Sequence, residues 1–171
     1  SVNELLIEAQ ATGRCFVYES ATDNRTSAPP VLAGLSADIC IHGHLCAGTA
    51  AIECALANLP TLLIDREGSP ENILYKLSSE NLIFNSWDET IYALKNHFNS
   101  KNRNKNFGRW PEYFLNDLDS FRDGKAAFRM GEYLNTLINY IKENKSRDEA
   151  MNIAAEIYAK KYGIDKISTF N

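Results

Sequence analysis

Residues 37–65 decide the fold: Ala37-Asp38-Ile39-Cys40-Ile41, then His42-Gly43-His44, then the run Gly48-Thr49-Ala50-Ala51-Ile52-Glu53-Cys54-Ala55-Leu56-Ala57-Asn58, then Pro60-Thr61-Leu62-Leu63-Ile64-Asp65. Two short, near-continuous apolar runs flank a segment with Ala, Ile and Leu on nearly all sides. Such runs predict buried parallel strands, and the segment between them, Gly48 to Asn58, predicts a well-buried crossover helix. The unit is a βαβ.

Working outward, the pattern continues. Glu71 to Leu77 predicts a helix, Leu82-Ile83-Phe84 a short strand, and Trp87 to Phe98 a helix with Ser86 or Asp88 near its cap. Upstream, Val2 to Ala11 predicts a helix stopped at Gly13, and Cys15-Phe16-Val17-Tyr18 a buried strand. Ala21 to Pro30 reads as a loop, and Val31 to Leu35 as a short helix at most. Asn99 to Asn106 is polar and predicts an exposed connection. Beyond it, Trp110 to Leu118, Asp123 to Lys142 and Arg147 to Tyr162 predict helices. Asp123 is the expected N-cap of the second, Phe128, Leu134, Leu137, Ile138 and Ile141 its apolar face, and Gly163 the stop of the third. The expected fold class is α/β: a Rossmann-like parallel sheet of about four strands with helices on both faces, and a C-terminal helical segment that packs back on it. The expected division is 1–98 for the α/β unit, 99–108 for a linker, and 109–171 for the helical segment.

Composition narrows the function classes. Of 171 residues, 44% are hydrophobic and 23% charged, as in ordinary globular proteins. The net charge is -4 and no strong basic cluster stands out, so nucleic acid is not the expected partner. Apolar runs such as Pro60 to Ile64 are far below the roughly 18 residues of a membrane span. Four cysteines, Cys15, Cys40, Cys46 and Cys54, include no CxxC pair, and three lie in apolar runs; a reducing, cytoplasmic setting follows. The motifs of a P-loop, a dinucleotide fingerprint and a serine nucleophile elbow are absent.

The strand ends carry the candidate chemistry. Ligands of open α/β sheets bind beyond the carboxyl ends of the strands. His42, His44, Gly48, Asp65 and Arg66 fall there. Gly48-Thr49 opens a helix, where free N–H groups and the helix dipole attract anions. Glu53, one turn on, can accept hydrogen bonds from sugar hydroxyls. A crossover helix that Gly48 and Thr49 merely cap fits the same local pattern equally well. His42 and His44 share a strand face, but the only other histidine is His97, so no metal site is expected. His44, nearer Gly48, is the preferred phosphate or sugar donor. In the run Phe121 to Gly131, the cations Arg122, Lys125 and Arg129 read either as phosphate or partner contacts or, preferably, as a solvated helix face.

The sequence from Ala37 to Asp65 resembles the donor-binding half of GT-B glycosyltransferases: a strand with Ala-Asp, a small-residue turn, a helix with Glu, a G-x-P turn and a strand. The likeness covers about residues 30–98. It implies that Gly48 and Thr49 bind the diphosphate of a nucleotide-sugar, that Glu53 holds the ribose, and that His44, Arg66 and Glu71 surround the sugar. Asn72, in Ser69-Pro70-Glu71-Asn72, lies where that family places further donor contacts. Asn58 stands where the turn usually has Gly, and the earlier Glu of many retaining members would fall at Leu45. The Gly-rich acceptor domain is missing, so the resemblance implies a chain truncated at its N-terminus, a C-terminal portion whose catalytic residues are unknown. It implies transfer of a sugar in bacterial cell-surface polysaccharide assembly, with the nucleotide-sugar as substrate and no resident cofactor. It also admits peripheral association of the full-length protein with the inner face of the membrane. The helical tail is a candidate homodimer face, since Phe128, Leu134 and Ile141 need covering. Asp65-Arg66-Glu67-Gly68-Ser69-Pro70-Glu71 is similar, too, to non-hydrolysing UDP-N-acetylglucosamine 2-epimerases, which makes an epimerase the second expectation. A non-catalytic binding or assembly module is the third.

Overall fold

β2, Thr61–Ile64, is the centre of the molecule: all four of its residues are fully buried. In the computed structural model, which describes residues 1–17, 29–45, 48–68 and 71–166, it pairs in parallel with β1, Cys40–His42, on one side and β3, Ile83–Phe84, on the other. The sheet order is β1-β2-β3, and Ile41 stands opposite Leu62 while Leu63 stands opposite Ile83. The ends His42, Ile64 and Phe84 define a carboxyl edge. The opposite, amino edge holds Ile39, Pro60 and Leu82.

The described residues form seven α-helices. These are α1 Val2–Ala11, α2 Pro30–Gly34, α3 Thr49–Leu56, α4 Trp87–Asn99, α5 Glu112–Leu118, α6 Ala126–Lys142 and α7 Arg147–Tyr162. α3 crosses from β1 to β2 and packs on both; a 3-10 helix, Ile73–Glu80, and α4 pack on β3. Leu62, Leu63, Leu74, Leu77 and Phe114 are at or below 1% exposure and join Trp110 and Leu115 in one core. Burying each such side chain contributes about 1.5–3 kcal/mol. Trp110, two residues before α5, donates its indole N–H to the Thr61 carbonyl at 3.0 Å, so its ring enters the core with its polar atom satisfied.

α3 ends in a turn whose chemistry explains an unusual residue. Asn58 has φ +60°, and the amides of Asn58 and Leu59 donate to the carbonyls of Ala55 and Cys54. This is a Schellman arrangement, which normally selects Gly but accepts Asn. Arg109 fixes it by donating to both the Asn58 backbone and side-chain oxygens. The Asn at the G-x-P position therefore performs the backbone task of the glycine.

Four expectations are corrected. Residues Cys15 to Val17 form no strand; Phe16 is 83% exposed, because no neighbouring strand among the described residues takes their backbone groups. Tyr18, the loop residues 21–28, Cys46, Ser69 and Pro70 lie outside the described residues. Asp123 does not cap α6, whose N-cap is Lys125 with no side-chain bond. Nor is Arg129 on a solvated face. It is buried, donates to both Asp123 oxygens at 3.0 and 2.9 Å, and lies 3.8 Å above the Phe121 ring. The helix Glu71–Leu77 appears as the 3-10 helix one turn further on. α6 and α7 form an antiparallel pair with Tyr133 edge-on to Tyr158, closed by Glu132 accepting from Lys161 at 2.5 Å and from Tyr162.

Candidate functional site

Two loops meet at the carboxyl edge; Glu67 and Asn72 clasp the second to the first, and Asp65 braces the second from within. Glu67 accepts from the Leu45 amide at 3.0 Å and pairs with His44 Nδ1 at 2.7 Å. Asn72 donates its Nδ2 to the Leu45 carbonyl at 3.0 Å while its Oδ1 accepts from the Leu74 amide, capping the 3-10 helix. Asp65 accepts from the amides of Glu67 and Gly68 at 3.1 and 2.9 Å and from the Tyr75 hydroxyl. That hydroxyl first, then the Gly68 amide, holds the Asp65 carboxyl below its ordinary range against a smaller opposing effect of burial. Ionised Asp65 thus pins the turn that carries Glu67 into place.

Gly48 is buried, and a Cβ on it would lie 2.4 Å from Leu74 Cδ1 and 3.2 Å from the Leu45 carbonyl oxygen. Its missing side chain lets the start of α3 sit directly against the 3-10 helix. α3 begins there with no side-chain cap. By contrast α4 and α7 begin with Ser86 and Ser146 accepting first-turn amides. The α3 first-turn N–H groups therefore lack the side-chain oxygen that the other two helices supply.

Glu53 lies one turn into α3. Its Oε2 is buried without a hydrogen-bond partner. A carboxylate oxygen in that state has lost water and gained nothing in return, a cost of about 1–3 kcal/mol or more. Beside it, burial first and then the neighbouring Cys40 and Glu53 push the Cys54 thiol up to about 11, so the thiol remains protonated at neutral pH.

Of the expected site residues, the fold gathers His44, Gly48 and Asn72 around Leu45 and Leu74. Thr49 follows at the exposed start of α3. Arg66 and Glu71 are exposed, and neither is drawn into a hydrogen bond or ion pair with the others among the described residues. Glu67 was missed. Its signal was a carboxylate three residues past a buried strand, but its partner lay 23 residues away. Among the described residues no cluster of three or more His, Cys, Asp or Glu side chains is placed to hold a metal ion. No helix among them is long and apolar enough to cross a membrane. No family model, curated protein or solved structure matches the chain.

Proposed function

We propose that the chain is the nucleotide-sugar-binding part of a GT-B-type glycosyltransferase that builds bacterial cell-surface polysaccharide. The observation that carries the reading is Glu53: a buried carboxylate oxygen with no partner, one turn into an uncapped helix that starts at the carboxyl edge of a parallel sheet. A nucleoside diphosphate supplies what this arrangement lacks. Its diphosphate meets the first-turn amides at Gly48 and Thr49, where the helix dipole is equivalent to about half a positive charge. Its ribose hydroxyls donate to Glu53. His44, Arg66 and Glu71 flank the sugar, and Asn72 shapes the loop that holds His44. Under this reading the sheet is part of a larger Rossmann-like one, extended beyond β1, whose Ile41 is partly exposed at the edge. The acceptor and the residues that activate it belong to another domain.

Calorimetric titration with UDP, GDP, CDP and their sugars tests this. The expected result is selection of one base, with affinity at least tenfold weaker in Glu53→Ala, since a hydrogen bond to a charged group is worth about 1.5–3 kcal/mol. Failure of the unmodified chain to bind any of them at millimolar concentration, or equal binding by the variant, overturns it.

A further inference from the structure

Two cysteine sulfurs converge where α2, α3 and β1 meet. Cys40 opens β1, and its backbone amide donates to the Pro60 carbonyl at 2.8 Å. Cys54 lies on α3, and its carbonyl accepts from the Leu59 amide at 3.0 Å. Both side chains therefore hang from fixed backbone. The Cys54 thiol donates a hydrogen bond to the Cys40 side chain. Gly34 of α2 covers the pair: a Cβ there would lie 3.0 Å from Cys40 Sγ and 3.1 Å from Cys54 Sγ. The backbone of Gly34 is helical, so this glycine answers to the space the sulfurs occupy and not to a turn.

The two sulfurs are not equivalent. Cys54 is buried and Cys40 half-buried. Both line an open hollow of about 310 Å³, together with Ala33, Ile39 and Ala51. Burial and the Cys40 contact keep Cys54 protonated, so Cys40 is the sulfur that meets a reagent entering the hollow. We propose that Cys40 and Cys54 form a two-thiol oxidation site that a hydroperoxide converts to an intramolecular disulfide. The Cys40 sulfur attacks a peroxide oxygen, the O–O bond breaks, and the departing oxygen takes the Cys40 proton. Cys40 is then a sulfenic acid. The Cys54 sulfur attacks the Cys40 sulfur, the S–O bond breaks, and the hydroxyl leaves as water with the Cys54 proton, which already faces it. The two thiols lose two electrons and the peroxide gains them. In a reducing compartment such bonds are transient and serve redox sensing. The cross-link joins α3 to β1 and encloses Gly48, Thr49 and Glu53, yet the chemistry stands whatever those residues bind.

Peptide mass mapping of the full chain after brief exposure to hydrogen peroxide tests the proposal. Cleavage at Glu19 and Glu53 leaves Cys40 and Cys46 in one peptide and Cys54 in the next. The expected product is these two peptides linked, lighter by two hydrogens than their sum and separated again by dithiothreitol. Fragmentation places the link on Cys40, and the chain stays monomeric with unchanged circular dichroism. In Cys54→Ser, Cys40 stops at the sulfenic acid, which a cyclic 1,3-dione captures. In Cys40→Ser, Cys54 is oxidised at least tenfold more slowly. The proposal is overturned by a Cys54 that remains a thiol in the unmodified chain, by a link that runs to Cys46, by a link that forms only in urea, or by undiminished oxidation of Cys54 in Cys40→Ser. Mapping of the unmodified chain decides the matter even if a variant fails to fold.

Discussion

The carboxyl and amino edges belong to the same three strands, yet their loops are secured by opposite charges. At the carboxyl edge, carboxylates gather backbone amides: Asp65 takes those of Glu67 and Gly68, and Glu67 takes that of Leu45. At the amino edge, guanidinium groups gather carbonyls: Arg103 takes that of Phe98, and Arg109 that of Asn58. The difference follows from the backbone. In a βαβ unit the crossover helices start at the carboxyl edge with unpaired N–H groups and end at the amino edge with unpaired carbonyls. Side chains of the complementary charge settle where those groups accumulate. Among the helices that directly follow a strand, the exception is α3, which has no side-chain cap where the 3-10 helix and α4 have Asn72 and Ser86, and that exception is where an outside anion is expected.

The comparison is broken most severely by a change that neither edge can absorb. Gly108 has φ +75°, and a Cβ there would lie 3.0 Å from Pro60 Cβ and 3.2 Å from the Thr61 amide nitrogen. Gly108→Ala should cost about 3 kcal/mol in urea unfolding, from left-handed strain and overpacking against backbone that cannot yield. Gly48→Ala, its counterpart at the carboxyl edge, presses hardest on the end of a flexible leucine, Leu74 Cδ1 at 2.4 Å, with the Leu45 carbonyl oxygen at 3.2 Å behind it. A loss of about 1–2 kcal/mol is expected. Adding Leu74→Ala should return at least about 0.5 kcal/mol relative to additivity, which a double-mutant cycle reads directly.

A smaller effect sharpens the account of the clasp. Glu67→Gln loses the charge that holds His44 and the Leu45 amide, and should cost about 1 kcal/mol of stability. It should also weaken nucleotide binding, although Glu67 is assigned no ligand contact. Smallest is the acid response of Asp65. Its folded carboxyl titrates below its unfolded value of about 3.9. Its contribution is complete above that unfolded value and is lost as pH falls through the lower folded one. Removing the Tyr75 hydroxyl raises the folded value, so the stability gap between the unmodified chain and Tyr75→Phe should shrink below about pH 4. Urea midpoints across that range test it.

Much of the fold was legible because it rests on local pattern. The apolar run at 37–41 holds all of β1 but its last residue, that at 60–64 holds the whole of β2, and Ser86 caps α4. α7 runs from Arg147 to Tyr162, the expected bounds, because Ser146 and Gly163 mark both ends. What failed depended on partners distant in sequence. Cys15 to Val17 has strand composition but no neighbour to pair with among the described residues. Arg129 reads as a surface charge until Asp123 and Phe121 fold around it. At the site, His44, Gly48 and Asn72 were readable from strand-end position and resemblance, whereas Glu67, which clasps two of the loops together, was not. The overall acidity of the chain also masked the run of cations from Lys95 to Arg109. A net charge averages over surfaces that the fold keeps apart.

The central claim is that an anionic nucleotide takes the uncapped carboxyl edge rather than the cationic amino edge. Simple charge attraction favours the latter, so the two are separable. Amide hydrogen exchange of the full chain, with and without the nucleoside diphosphate that binds best, tests this most directly. The account predicts protection at residues 44–53 and 65–75, with little change at 97–109. Protection confined to 97–109 would contradict it.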